Sequence, residues 1–460
     1  MERCMMDLAT VAEAVRGHVE GANVRFVRVT TDSRAVEPGD LFVALVGERH
    51  DGHAYVANAF GRGAVAALVA EGRGAFPGPV VAVDDPLAAL GRLAGDWRRR
   101  FDLPLAVVVG SNGKTTVKEM TASILRAAFG VEATLATSGN FNNAIGLPLT
   151  LLRLNRAHRV AVVEVGMNHR GETRTLCAMA RPTIVVVNNA QREHQEFMAS
   201  VAEVAAEHAD AVQSLPHGGV AVLNADDPSL HVWRGAADIA GAAIRTFALH
   251  ARADISARMT PSSEGSVLAL RTWRGDADVR LAVPGEPMAS NALAAATAAL
   301  ATGAPLDAVV QGLEAFRPVA GRLATTRAPS GATVIDDSYN ANPDSVRAAI
   351  DVLARADGMR WLVLGDMGEV GEDGPAYHRE VGGYARERRL DRLDAVGPLA
   401  KEAAAAFGAD GHWHADVEHL IAAVAPRARA GTTVLVKGSR FMRMERVVSA
   451  LTGANAEGSH

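Results

Sequence analysis

Short, wholly apolar runs recur along the chain, and most are followed by a Gly-, Asn- or Asp-rich stretch. Leu105-Ala106-Val107-Val108-Val109, Val160 to Val165, Ile184 to Val187 and Val220 to Leu223 are of this kind. Runs this short and this uniformly apolar predict strands buried on both faces, as in a parallel sheet covered by helices. Amphipathic stretches between them predict the helices, including one over 117–128 and one over 290–301. The alternation of strand and helix patterns places the chain in the α/β class.

The pattern restarts twice. A first region, to about residue 102, has short strands at Val24 to Val29, Leu41 to Leu45 and Ala66 to Val69. Within it Asp84-Asp85-Pro86 opens a helix by a cap and a first-turn proline. A second region, 103–318, starts with the Leu105 run. Its residues 238–283 are more polar and β-rich, as in an antiparallel flap. The stretch Phe316 to Arg322 reads as a joint. A third region, 319–460, carries strands at Thr333-Val334-Ile335, Trp361 to Gly365 and Thr433 to Lys437. Asn342-Pro343-Asp344 caps and opens a helix there.

At 460 residues, with 48% hydrophobic and 22% charged positions, the composition is that of a globular protein of more than one domain. A net charge of −5 points away from broad nucleic-acid binding. No apolar stretch approaches the ~20 residues of a membrane span. Two cysteines, Cys4 and Cys177, form no disulfide framework and fit a reducing cytoplasm.

The most informative chemistry follows the Leu105 run: Gly110-Ser111-Asn112-Gly113-Lys114-Thr115-Thr116, ahead of a helix. A Gly-rich turn between strand and helix aims backbone N–H groups and the positive end of the helix at an anion. Lys114 adds a point charge for outer phosphates and Thr115 a hydroxyl for Mg²⁺. The pattern is the shorter G-x-x-G-K-T-T, because Val108 stands where the longer phosphate-loop motif has a glycine. A nucleoside triphosphate, ATP, with Mg²⁺ is the expected ligand.

Other candidates lie at strand ends, where open α/β sheets bind ligands. Glu164 ends the Val160 strand and suits a metal that bridges phosphates. Asn142 and Asn143 stand in an Asn-rich turn after Thr137 that suits a polar ligand or a plain loop equally. His194 closes Asn188-Asn189-Ala190-Gln191-Arg192-Glu193-His194 and reads as a metal, phosphate or structural residue. Asp336-Asp337-Ser338-Tyr339-Asn340-Ala341-Asn342-Pro343 and Lys437-Gly438-Ser439-Arg440 form polar loops fit for a second anionic group. Thr31-Asp32-Ser33-Arg34 is a weaker signal of the same type.

Together these motifs resemble the Mur ligase family of ATP-dependent amide ligases. The carriers are the Gly110 to Thr116 loop, Asn142-Asn143 with Gly146 and Pro148, Glu164 to Asn168, and Asn188-Asn189 with His194. The Asp336 to Pro343 loop, Gly365-Asp366-Met367-Gly368-Glu369 with His378, and Lys437 to Met442 point to the branch that adds a dipeptide. The resemblance implies a three-domain architecture, at 1–102, 103–318 and 319–460. Its central domain has a phosphate-loop, mostly parallel sheet, and its C-terminal domain is Rossmann-like.

It further implies a cytoplasmic monomer that joins D-alanyl-D-alanine to UDP-N-acetylmuramoyl-tripeptide through an acyl phosphate. Ser33 and Arg34 then lie near the UDP end. Lys114 neutralises phosphates, Thr115 and Glu164 hold Mg²⁺, and His194 holds a second. Asn291 and Arg322 contact the nucleotide and Asp336 its ribose, while Asn142, Asn143, Asn340, Asn342 and Arg440 face substrate. Many relatives carry a lysine modified by CO₂ about fourteen residues after the metal histidine. Here that position is His208, and no lysine occurs between Lys118 and Lys401. The expectation is a ligase that works without the carbamate, with His208 or Glu207 partly in its place. Pro287-Met288 and Val109 also depart from the family pattern. The alternatives are another amino-acid ligase of the family or, in a different class, a phosphate-loop ATPase.

Overall fold

The structure is a computed structural model and describes residues 4–47, 50–262 and 265–454. Three main sheets follow one another along the chain. The first has five strands, with Arg28–Thr30, Asp40–Val43, Ala66–Ala70 and Val80–Val83 parallel and His18–Glu20 antiparallel at the edge. The Val24 to Val29 segment is two strands rather than one. Arg25–Phe26 pairs with Met6–Asp7, and Arg28–Thr30 joins the five-stranded sheet. Val27 between them is exposed, which breaks the alternation.

The second sheet has nine strands. Leu105–Val109 lies between Val160–Glu164 and Ile184–Val187, all parallel and all buried. Helices cover both faces of these strands, so every side chain of Leu105–Val109 points into a core. Leu105 and the three valines each contribute roughly 1.5–3 kcal/mol of apolar burial. The flap expected over 238–283 is present. Ala243–Ala248 and Ile255–Ser262 continue the parallel order, and Gly265–Thr272 and Gly275–Leu281 fold back antiparallel at the edge. The Glu286–Ala301 helix starts four residues before the expected 290, since Pro287 is favourable in a first turn.

The third sheet has six strands, five of them parallel: Thr333–Asp337, Thr432–Lys437, Met359–Gly365, Arg392–Val396 and Gly411–His414. Ala324–Arg327 pairs antiparallel at its edge.

The first two sheets are joined firmly. The Pro86–Arg98 helix packs against the Gly146–Leu151 and Glu172–Ala180 helices of the second sheet. At its end Arg98 is 5% exposed and donates to the carbonyls of Ala180, Phe101, Leu103 and Arg181. A buried guanidinium is tolerable there because backbone oxygens satisfy its donors. One apolar core runs through both regions, from Leu41 and Leu68 to Val107 and Val163.

Candidate active site

The C-terminal ends of the second and third sheets' parallel strands face one cavity of about 1610 Å³. Its floor is the phosphate loop. Gly110 has φ +141° and Gly113 φ +81°, both in the region that favours glycine. A Cβ on Gly113 would stand 2.4 Å from Asn291 Oδ1 and 2.7 Å from Asn188 Nδ2, so only glycine fits. The Lys114–Phe129 helix begins there with no side-chain cap, leaving its first N–H groups directed at the cavity. Lys114 Nζ donates to Gly110 O at 2.6 Å and to Ser111 O at 3.3 Å.

Thr115 Oγ1 donates to Glu164 Oε2 at 2.7 Å, and Asn142 Nδ2 donates to Glu164 Oε1 at 2.7 Å. Strand register makes this meeting: Glu164 pairs with Val108, one residue before the loop strand ends. A hydroxyl and a carboxylate beside phosphate-binding amides form the hard-oxygen donor set that Mg²⁺ takes. Among the described residues no cluster of three or more His, Cys, Asp or Glu could hold a metal alone. A cation at Thr115 and Glu164 would take its remaining oxygens from a ligand, the usual arrangement for Mg²⁺ on phosphates.

The opposite wall belongs to the third sheet. Asp337 pairs with Lys437 across neighbouring parallel strands, at 2.5 Å. Burial raises the Asp337 carboxyl, against the pull of Lys437. Arg322 stacks on Tyr339 at 4.1 Å, and Asn340 and Arg440 also line the cavity. Asn342 caps the Pro343–Ala354 helix, and its Nδ2 donates to Asn112 Oδ1 of the phosphate loop at 2.9 Å.

Two more side chains of the second sheet's loops, Arg192 and His194, reach across to the third. The Arg192 guanidinium donates to Asp344 Oδ1 at 2.6 Å and to Glu380 Oε2 at 2.7 Å. Glu380 and Asp344 together push the guanidinium pKa further up. His194 Nδ1 lies 2.6 Å from Glu369 Oε2. His194 has φ +50°, an uncommon conformation for a residue with a side chain and a mark of functional sites.

Three family models cover most of this architecture: Mur ligase family, catalytic domain, over residues 25–98; Mur ligase middle domain, over 108–299; and Mur ligase, glutamate ligase domain, over 321–440. The UDP-N-acetylmuramoyl-tripeptide–D-alanyl-D-alanine ligase of Escherichia coli is 39% identical over 96% of this chain and 98% of its own length. The chain belongs to the Mur ligase family. The Bacillus subtilis ligase of the same name is 32% identical over 96% of the chain and 97% of its own. A crystal structure of MurF from Acinetobacter baumannii superposes with a TM-score of 0.90 at 32% identity, covering 98% of this chain and 99% of that one. MurF ligase from Thermotoga maritima in complex with ADP gives a TM-score of 0.81 at 25% identity, covering 93% and 97%.

Most of the residues picked out from sequence line this cavity of the Mur ligase: Ser111 to Thr116, Asn142, Asn143, Glu164, His194, Asn291, Arg322, Asn340, Asn342 and Arg440. Gly110 lies just beneath it, its carbonyl on Lys114. Asn143 has a local task as well, accepting from Ile145 and Gly146 at a helix start. Ser33 and Arg34 are elsewhere, on the first sheet, with Arg34 exposed and paired to Asp32. Asp336 turns away from the cavity, accepting from Gly321 N and Ser338 N, and its neighbour Asp337 lines the wall instead. Glu207 accepts from Gly171 N and Thr173 N, both at 2.9 Å, and so caps a helix outside the cavity. His208 is buried behind the wall, and burial pushes its pKa down to about 4, leaving a neutral imidazole. Glu193, Arg192, Asp344, Glu369 and Glu380 carried no role in the sequence. Most of their partners lie far along the chain, and the sequence hinted at them only through the Asn188 to His194 loop, the Gly365 to Glu369 motif and the helix start at Asp344.

Proposed function

We propose that the chain is an ATP-dependent ligase that joins D-alanyl-D-alanine to UDP-N-acetylmuramoyl-tripeptide. The products are the UDP-muramoyl-pentapeptide precursor of peptidoglycan, ADP and phosphate. One observation carries this reading: a phosphate loop and a Lys437–Asp337–Arg322 wall, from two separate sheets, face each other across a single cavity. An ATPase that drives movement needs no second wall built for an anionic co-substrate. The names of the relatives that match over nearly their whole length support the same conclusion.

A carboxylate is a poor electrophile, so the γ-phosphoryl of ATP first moves onto the tripeptide's carboxylate. The amine of D-alanyl-D-alanine then attacks the acyl phosphate and displaces phosphate. Phosphoryl transfer asks the protein for positioning and charge neutralisation. The loop amides and Lys114 supply both. Thr115 and Glu164 are the residues that would hold Mg²⁺, whose charge would offset that of the phosphates, and His194 would hold a second ion. Asn291 and Arg322 face the nucleotide; Asn142, Asn143, Asn340, Asn342 and Arg440 face the peptide. The division at 1–102, 103–318 and 319–460, with Ser33 and Arg34 on the UDP end, belongs to this proposal and is supported by the three sheets. So does a cytoplasmic monomer; no helix among the described residues is long and apolar enough to cross a membrane.

The test is phosphate release from Mg-ATP by purified protein, with the two co-substrates added separately and together. Release only with both, and a product heavier by the dipeptide less water, is the expected result. Release with neither would replace the ligase by the ATPase.

A further inference from the structure

Glu193 is an acid matched on one side only, where Lys114 Nζ donates to its Oε2. Its side chain is 6% exposed and borders the cavity. Oε2 lies 3.4 Å from Lys114 Nζ and 3.8 Å from His194 Nε2. Oε1 has no hydrogen-bond partner among the described residues and faces His208 Nε2 at 3.6 Å. His208 is itself buried, and its Nδ1 is also unpartnered.

The neighbouring acids behave differently. Both oxygens of Glu207 accept backbone N–H groups, and both oxygens of Glu164 accept from side chains. A buried carboxylate oxygen left unmatched destabilises the fold, because its lost hydration is not replaced. Such an atom persists where something absent from the polypeptide completes it. His208 stands behind Glu193 and limits how far the carboxylate can swing from the cavity.

We propose that Glu193 is a further cation-facing carboxylate of the phosphate site, held in position by His208 and acting beside His194. This rests on the ligase reading above. It also revises the expectation that His208 or Glu207 stands in for a modified lysine. His208 lies behind the cavity wall and Glu207 caps a helix, so the acid offered to the cavity is the encoded side chain of Glu193. Glu193 is the metal-facing group and His208 a positioning residue. An acid encoded in the chain needs no CO₂ to form.

The experiment titrates Mn²⁺ into the full-length protein with a non-hydrolysable ATP analogue, read by electron paramagnetic resonance, for wild type, Glu193→Gln and His208→Gln. Thermal melts accompany each titration. Removing the group that supports a metal ligand commonly costs 10–100-fold in affinity. His208→Gln is expected to weaken Mn²⁺ by up to that factor and Glu193→Gln by at least as much, with the analogue still bound. Wild-type ligation in CO₂-free buffer is expected to be unchanged by added bicarbonate, a measurement independent of how the variants fold. Unchanged Mn²⁺ affinity in a folded Glu193→Gln overturns the proposal. So does tighter metal-free nucleotide binding alone, which would make Glu193 merely a latch on Lys114. Activity that depends on bicarbonate overturns it too. Failure of the wild type to bind the metal–nucleotide pair would instead sink the ligase reading.

Discussion

Replacing Arg192 by alanine removes the strongest polar link between the phosphate-loop sheet and the third sheet. Its guanidinium donates to Asp344 Oδ1 and to both oxygens of Glu380, and the ring of Tyr377 lies 5.3 Å away. Charge-assisted hydrogen bonds contribute about 1.5–3 kcal/mol each when desolvated. These side chains are 22%, 23% and 31% exposed, so solvent screens part of that. About 2–3 kcal/mol for the whole bridge follows, or roughly 30–150-fold in the equilibrium that brings the two sheets together. Alanine also leaves Asp344 without its cation, while Arg347 still pairs with Glu380 at 3.0 Å. Because the apolar packing that runs through both sheets stays in place, the loss is expected in kcat/KM for substrate-dependent phosphate release, with little change in Tm. Lysine should rescue only in part, since a point charge cannot fork to two carboxylates. An Arg192→Ala enzyme within threefold of wild type, with an unchanged scattering profile in the presence of ATP analogue and tripeptide, would refute the reasoning.

Gly113→Ala should abolish nucleotide binding, measured by calorimetry, because the new methyl meets Asn291 and Asn188 at a backbone angle that alanine avoids. Asp394→Asn should cost about 3 kcal/mol of stability, since it strips a fully buried carboxylate from Arg392, His414 and Trp361. Burial alone would raise that carboxyl, but its three partners hold it below the ordinary range. Its contribution is therefore present above the unfolded pKa of about 3.9 and lost as pH falls through the folded value. The gap in stability between wild type and variant, followed by denaturant melts, should close below pH 4. With a thiol reagent near pH 8, Cys4 should react at once and Cys177 only after unfolding, because burial pushes the Cys177 thiol up to about 12.

The central strands were legible because burial on both faces writes a continuous apolar run. Gly411–His414 was not, because an edge strand reading Gly-His-Trp-His carries neither run nor alternation. The phosphate loop was legible because its function lies in local order: strand, turn, lysine, hydroxyl, helix. Asp336 and Asp337 show the limit. Adjacent strand residues point to opposite faces, and only the register with Lys437 decides which aspartate reaches the cavity. Glu193 and Arg192 owe their roles to groups that the fold brings in from far along the chain. Their identities alone could not be distinguished from an ordinary charged loop.

Arg98 has a consequence for substrate choice. Its four carbonyl contacts and the continuous core beneath it make the first two sheets one solid piece. The span from the Ser33–Arg34 turn to Lys114 is then fixed within that piece. A ligand anchored at one end of that span presents its reactive end at the other only if its length is right. If Ser33 and Arg34 hold the UDP end as proposed, those two sheets work as a caliper, and a peptide one residue short or long is expected to show a lower kcat/KM.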